Sequence, residues 1–356
     1  MKFDFFKETT PPLIGVDISS SAVKMVELSS SAKGQYRLEA YSMSPLPKDA
    51  IVDGNVMNLD MVVDAIKLAW KLLSSREKRS ALSLPSSAVI SKKVIMQAGM
   101  REDDMEAQVE GEANQYIPFS LDEVNLDFQI IGPATNSPDE VEVIIAAARK
   151  EKIEDRVAAA EGAGLRVSVI DVETYATEAA YTLVASQLPN AGKGQTVMII
   201  DIGAQGMHII VMHDGKSVYT REQTFGGAQL TQEIQRRFGL SAEEAEIAKR
   251  KGGLPDSYDT EVLQPFVQSL ATEVARALQF FTSSTQYNRV DHLVLAGGCA
   301  AISGIDVIVQ EQAQVNTVVA NPFHEMTVSN KIKQQQVSID APSLLIACGL
   351  AMRGVD

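Results

Sequence analysis

The sequence predicts an α/β protein of two lobes, related by internal duplication, that close on a nucleotide, and three observations carry this expectation. Two short apolar runs end in Asp-Ile followed by tiny residues: Ile14-Gly15-Val16-Asp17-Ile18-Ser19-Ser20-Ser21 and Val197-Met198-Ile199-Ile200-Asp201-Ile202-Gly203-Ala204. A third run, Val290-Asp291-His292-Leu293-Val294-Leu295, leads into Ala296-Gly297-Gly298. The β-branched content of the runs predicts buried strands. The small residues after them let the backbone turn beneath a phosphate with its N–H groups aimed at the anion. An Asp at each strand end adds a hard oxygen ligand, which suits a hydrated magnesium ion otherwise held by nucleotide phosphates. Glycine at the third turn lets a flat group approach the backbone. A single strand-Asp-turn more often means only a capped turn. The ordered trio is what predicts a clamp.

Along the chain, a short leader ends at Pro11-Pro12, and the strand carrying Asp17 is followed by strands over Ala22–Leu28 and Tyr36–Ser42, a meander. A helix is expected over Asp60–Leu73, with Met61, Ala65, Leu68 and Leu72 at helical spacing as its core face, Asp60 as its cap and Trp70 in the core. Between about Ala81 and Ala163 a self-contained insertion is expected. It comprises strand Val89–Ile95, acidic helix Glu102–Tyr116, a break at Ile117-Pro118-Phe119, strand Val124–Ile131, a Pro-containing loop, strand Val141–Ala147 and helix Lys150–Gly162. Strand Arg166–Asp171 and helix Val172–Leu188 follow, and the turn-rich Asn190–Gly194 leads into the second half. That half repeats the opening: strands over Val197–Ile202, Met207–His213 and Lys216–Thr224, then Gly226-Gly227 and helix Gln229–Phe238. Ser241-Ala242-Glu243-Glu244 is a capping-type helix start. A helix over Thr260–Thr282 precedes the late strand.

Composition excludes several function classes. With 356 residues and 45% hydrophobic content the chain is long enough for two packed lobes. Its formal charge of −14, from 46 acidic against 32 basic residues, disfavours nucleic-acid binding through phosphate neutralisation. No apolar stretch approaches a membrane span, and the start, Met1-Lys2-Phe3-Asp4-Phe5-Phe6-Lys7, lacks the apolar centre of a signal peptide, so a cytoplasmic location is expected. Cys299 and Cys348 sit in apolar or Gly-rich surroundings and read as free thiols of a reducing compartment. The four histidines form no Cys/His pair at zinc-ligand spacing, and no Gly-x-Ser-x-Gly elbow is present.

In order, the two Asp turns and the late Gly-Gly resemble the phosphate-1, phosphate-2 and adenosine motifs of the actin-like ATPase superfamily. The resemblance narrows to the PilM family of type IV pilus assembly proteins, in the FtsA-like branch. Three stretches carry it: Gly15-Val16-Asp17-Ile18-Ser19-Ser20 with Lys24; Gln115-Tyr116-Ile117-Pro118-Phe119 followed by Glu123 and Asp127; and Val169-Ile170-Asp171-Val172-Glu173-Thr174-Tyr175-Ala176. It implies an actin-like, ribonuclease H-like duplicated fold with an FtsA-like 1C subdomain inserted. Residues 1–80, 164–190 and 335–356 are then expected as lobe 1 (1A), 81–163 as the insertion and 191–334 as lobe 2 (2A/2B). FtsA-like proteins end in a basic amphipathic helix, whereas this sequence closes on Gly349–Asp356, so that anchor is not expected.

The resemblance implies ATP and Mg2+ as cofactors. It places Asp17 and Asp201 beside the metal, through water, and the backbones of Ser19, Ser20, Ser21, Gly203, Ala204, Gln205 and Gly206 around the phosphates. Lys24, seven residues after Asp17, has the spacing of a lysine that reaches a phosphate, with a solvated strand lysine as the alternative. Glu246 and Lys249 resemble the pair that contacts the ribose, or form a helix-surface salt bridge. Gly227, Gly297 and Gly298 form the floor for base and phosphates, while Gly226 either joins them or caps a strand. Glu173 falls where the family orients attacking water, or else caps a helix through the favourable dipole. Any hydrolysis is expected to be slow.

The implied role is a cytoplasmic ATP-binding scaffold of pilus biogenesis and twitching motility, at the cytoplasmic face of the inner membrane. It binds the N-terminal cytoplasmic tail of PilN, reaches PilO and PilP indirectly, and contacts the pilus motor ATPases. A filament-forming cytoskeletal protein of the FtsA or MreB kind, and a small-molecule kinase of the same superfamily, are the competing readings. The kinase needs an acidic base in a polar substrate cleft and larger insertions in both halves, neither of which the sequence shows.

Overall fold

The computed structural model describes residues 12–30, 35–134 and 137–354. The leader through Pro11 and the final Val355 and Asp356 lie outside the described residues. The chain opens with β1 (Ile14–Ile18), β2 (Ala22–Ser30) and β3 (Tyr36–Pro45), then a small ribbon of β4 (Ile51–Val52) and β5 (Asn55–Val56), and helix α1 (Leu59–Leu73). Next come β6 (Arg79–Leu84), β7 (Val89–Gln97), α2 (Glu102–Ala113), β8 (Val124–Ala134), β9 (Ser137–Arg149), α3 (Lys150–Gly162), β10 (Arg166–Val172) and α4 (Glu173–Ala185). The second half runs β11 (Thr196–Ile202), β12 (Met207–His213), β13 (Lys216–Gln223), α5 (Gly227–Phe238), α6 (Ala242–Lys251), α7 (Gln264–Ser284) and β14 (His292–Ala296). It ends with α8 (Ile305–Ala313), β15 (Asn316–Val319), β16 (Thr327–Val328), α9 (Gln334–Asp340) and α10 (Leu345–Met352).

These strands form a six-stranded sheet, β10-β6-β1-β2-β3-β16, a five-stranded sheet, β13-β12-β11-β14-β15, and a three-stranded sheet, β7-β9-β8. The duplication is explicit in the pairing. β1 is antiparallel to β2 and parallel to β6, and β11 is antiparallel to β12 and parallel to β14. Parallel neighbours align strand ends, so Asp17 and Asp201 emerge at the carboxyl edges of their sheets, where open α/β sheets bind ligands.

Burial explains the layers. One face of the first sheet packs Ile14, Val16 and Leu82 against Val62, Ile66 and Ala69 of α1 and Ala159 and Ala160 of α3. The other face is covered by α10, every residue of which is buried. That helix crosses at backbone contact: a Cβ at Gly15 would run into the Ala347 carbonyl, and one at Gly349 into the Ala176 carbonyl. In the second lobe Met198, Ile200 and Ile202 pack on Leu230 and Ile234 of α5 and Leu270 and Phe281 of α7.

Several expectations are corrected. Helix α1 begins at Leu59 under an Asn58 cap whose side chain accepts from the Met61 N–H, so Asp60 is a first-turn acid and not the cap. Its buried face is Val62, Ala65, Ile66, Ala69 and Leu73, while Met61, Leu68 and Leu72 are exposed and Trp70 is half-buried. The boundary expected at 81 falls inside β6, which lies between β10 and β1 in the first sheet. The small sheet of the insertion spans only Val89–Arg149, and α3 packs with the first lobe because Ala159, Ala160 and Ala163 join its core. The chain returns to the first sheet at β16, parallel to β3, before the expected residue 335. Of the expected Pro-containing loop, Pro133 lies inside β8 and Pro138 inside β9, which pair antiparallel, while Thr135 and Asn136 lie outside the described residues.

Candidate functional site

The first hairpin places Asp17 opposite Lys24 in register, and the Lys24 ammonium donates to Asp17 Oδ2 at 2.9 Å. The pair is nearly dry, with side chains 14% and 2% exposed. Burial pulls the Lys24 pKa down, but the carboxylates of Asp17, Asp201 and Glu173 more than offset this and hold it above its ordinary value. Lys24 therefore lies in the field of both strand-end aspartates. Its alternative as a solvated strand lysine is ruled out, and in this structure its ammonium neutralises Asp17.

The second hairpin repeats the arrangement with His208 opposite Asp201. The His208 Nδ1 faces Glu222 Oε1 at 3.5 Å. Burial disfavours its protonation, but Glu222, Glu173 and Asp201 raise its pKa to about 9. Asp201 is pushed up by burial, countered by Lys24 and His208. Glu173 is raised to about 7, chiefly by burial, with His208 and Arg156 opposing and Asp17 and Asp201 adding to the rise. Arg156 of α3, only 2% exposed, donates to the Ile18 carbonyl at 2.8 Å and braces the turn after Asp17. Glu173 opens α4 behind Val172 as the acid of its first turn, where the helix dipole favours a carboxylate, and it also lies in the field of the charged centre.

Around these charges the backbone turns are stitched together. Ser19 closes the first turn, its hydroxyl donating to the Ala22 carbonyl at 2.9 Å, while Ser20 and Ser21 remain half-exposed beside it. In the second turn the Gly203 N–H donates to the Gly206 carbonyl, and Gln205 sits at the exposed tip. The Gly203 and Ala204 carbonyls accept from the Gly227 and Ala228 N–H groups at 3.0 and 2.8 Å, fixing Gly226-Gly227 and the start of α5 over that turn. Lys249 of α6 donates to Thr231 of α5 at 2.8 Å and pairs with Glu246 at 2.6 Å, while Thr231 donates to Glu246. The Glu246–Lys249 pair thus lies beside Gly227 and is internally satisfied. Gly297 has φ +85°, and an added Cβ there would meet the Ile202 carbonyl and Asp201 Oδ1. Gly298 is exposed and faces open space.

The structure therefore gathers Asp17, Lys24, Glu173 and Asp201 at one charged centre, with the glycine turns and the Glu246–Lys249 pair extending from its second-lobe side. His208, Glu222, Arg156, Thr231 and Cys299, whose Sγ lies 3.8 Å from the Gly203 carbonyl, were not expected. One signal could have found His208: it follows Asp201 by the same interval that separates Lys24 from Asp17. A cavity of about 260 Å3, lined by Ser86, Ser87, Thr174, His208, Thr220 and Glu222 among others, opens beside the centre. The donor set fits a nucleotide with magnesium: two strand-end carboxylates, a buried lysine and an open glycine floor. Among the described residues no group of three or more His, Cys, Asp and Glu is placed to hold a metal ion.

The family model of the type IV pilus assembly protein PilM matches residues 15–355. Among solved structures, a PilM-PilN type IV pilus biogenesis complex is similar at 28% identity and TM-score 0.80, over 98% of this chain and 99% of that chain. The ethanolamine utilization protein EutJ from Carboxydothermus hydrogenoformans shares the fold at 15% identity and TM-score 0.56, over 96% and 89% of the two chains. The cell division protein FtsA of Bacillus subtilis (strain 168) is 26% identical over 230 residues, 58% of this chain and 50% of that protein. The chain thus spans about half the length of that curated relative. The fold is that of the actin-like ATPases.

Proposed function

The chain belongs to the type IV pilus assembly protein PilM family, and from that premise we propose that it is an ATP-binding scaffold at the cytoplasmic face of the inner membrane that holds the N-terminal tail of a PilN partner. The observation that carries the nucleotide part is Lys24, a buried cation within the field of Asp17 and Asp201 from opposite lobes. PilN is proposed because the similar complex, matched over 98% of this chain, is one of PilM with PilN. PilO and PilP then join through PilN, and pilus motor ATPases are further contacts of the assembly. No described helix is long and apolar enough to cross a membrane, so membrane association is assigned to partners.

Asp17 and Asp201 would hold Mg2+ through water, with Lys24 moving from Asp17 to a phosphate oxygen. The turns at Ser19–Ser21 and Gly203–Gly206 would cradle phosphates, Glu246 and Lys249 the ribose, and Gly227, Gly297 and Gly298 the base. Bound ATP supplies a phosphoryl group whose transfer to water needs mainly positioning and charge neutralisation. With a pKa raised to about 7, the Glu173 carboxylate is partly ionised at neutral pH and suits the taking of a proton from an oriented water. Turnover on this reading is slow, and binding energy serves to close the lobes.

The insertion supplies the docking region. Its edge strand β7 exposes Ser91, Lys92, Lys93 and Ile95, and Tyr175 of α4 donates to Ser91 at 2.7 Å, two residues beyond Glu173. Lys92 lies over the Tyr116 ring at 4.4 Å, and Phe119 is exposed beside Arg149. Titration calorimetry of the full chain with Mg-ATP, and then with a PilN-tail peptide, tests the proposal. Binding of both is expected. No heat with the peptide while ATP is bound removes the scaffold reading, and no heat with Mg-ATP removes the nucleotide reading.

A further inference from the structure

Arg156 is the one lysine or arginine that is buried among the described residues, 2% exposed on α3. Its guanidinium donates to two backbone carbonyls, that of Ile18, directly after Asp17, at 2.8 Å and that of Gly54, in the turn between β4 and β5, at 3.1 Å. Among the described residues no carboxylate comes within ion-pair distance of it, and Glu173, Asp17 and Asp155 act on it through space. Burial draws its pKa down from the usual arginine range, with those three acids opposing. Arginine keeps its proton all the same, so a full positive charge is held out of water without a contacting counter-ion. That is costly. Bracing alone does not call for it, because a neutral amide could donate to the same carbonyls.

The neighbouring charges show where this one acts. Lys24 is bonded to Asp17 and His208 faces Glu222, which leaves Arg156 as the cation in the field of Glu173 and Asp17 with no partner of its own. On the nucleotide reading above, on which the inference rests, Glu173 faces the water that attacks the terminal phosphate. This end of the site then receives the third phosphate of ATP and not the two that ATP and ADP share. We infer that Arg156 is a specificity-determining residue, whose buried charge makes the site favour a nucleoside triphosphate over the diphosphate. The attraction falls with distance and is little screened inside the protein, so it acts most on the phosphate nearest Glu173. The turns at Ser19–Ser21 and Gly203–Gly206 serve the phosphates common to both nucleotides.

The test is calorimetric titration of the full chain with Mg-ATP and, separately, with Mg-ADP, without peptide. The parent is expected to bind ATP about tenfold more tightly than ADP, the size of one charge–charge interaction across several ångströms of protein. Arg156→Gln should weaken ATP about tenfold and leave ADP nearly unchanged, which removes the preference. Arg156→Lys keeps the charge while giving up the forked pair of hydrogen bonds, and should keep most of the preference. A residue that only braces the turn would instead lower both affinities together in each variant, and that outcome overturns the inference. So does a parent that binds the two nucleotides equally, a result that needs no variant to fold and leaves the nucleotide reading standing. Melting temperatures of both variants are taken alongside, and if the glutamine variant unfolds, the parent ratio and the lysine variant decide. No heat with either nucleotide removes the nucleotide reading and this inference with it.

Discussion

Lys24 and His208 occupy matching places, each facing the strand-end aspartate of its own hairpin across an antiparallel pair, Lys24 opposite Asp17 and His208 opposite Asp201. The duplication thus sets a permanent cation in one half and a titratable one in the other. The two share two carboxylates, Asp201 and Glu173, and each has one of its own, Asp17 for Lys24 and Glu222 for His208.

If Lys24 and the aspartates hold nucleotide, saturating Mg-ATP at about a hundredfold over its Kd should stabilise the protein by about 2.7 kcal/mol, a rise of several degrees in Tm. Lys24→Met and Asp17→Asn should each abolish that rise. Differential scanning fluorimetry with and without Mg-ATP checks this, and an undiminished rise in either variant would remove these residues from the site.

Stability should fall as pH rises above neutrality. His208 has a folded pKa of about 9, above its unfolded value, so its contribution is complete below about pH 6.5 and is lost as pH passes through 9. Glu173, raised to about 7, acts in the same direction: its contribution is complete below its unfolded value and is lost as pH rises through 7. Because His208 and Glu222 are 31% and 44% exposed, the His208 share is discounted to about 1–2 kcal/mol. His208→Gln should flatten the decline of Tm between pH 6.5 and 9, as measured by melts across that window.

The paired late glycines should separate on mutation. Gly297→Ala forces a Cβ into the Ile202 carbonyl and the Asp201 carboxylate at positive φ, and should cost more than about 2 kcal/mol. Gly298→Ala meets nothing and should leave stability within about 0.5 kcal/mol, yet weaken ATP several-fold by covering the open floor. Urea melts and nucleotide titrations of the two variants distinguish these outcomes.

Ile95, 62% exposed on β7, and Phe119, 38% exposed, should mark the peptide site. Ile95→Asp and Phe119→Asp should each weaken the PilN-tail peptide at least tenfold by calorimetry while leaving the Mg-ATP response intact. Unchanged peptide affinity in both would move the site away from this edge of the insertion.

The motif-bearing strands were legible because their chemistry is local: apolar β-branched runs ending in Asp and small residues need no knowledge of the partners. Helix α1 shows the opposite case. It is apolar over more than half its circumference, so periodicity alone could not choose between the Met61–Leu68–Leu72 stripe and the Val62–Ile66–Leu73 stripe, and only packing on α3 and the sheet decided it. Strand β6 was hidden because Ser80 and Ser83 make it read as polar, although both are buried in the sheet, where the Ser80 hydroxyl donates to the Arg166 carbonyl. Arg156 and Glu222 came from elements with no motif, whereas His208 had only its interval from Asp201 to mark it, and the convergence of the three is a property of the tertiary fold.

Helix α10 lies against β1 and α4 so closely that no side chain fits between them. The opening strand that bears Asp17 is therefore left uncovered on one face until residues 345–352 have been synthesised, and the first lobe can settle only after nearly all of this sequence has left the ribosome. A nascent chain halted earlier would expose that apolar surface to chaperones and proteases.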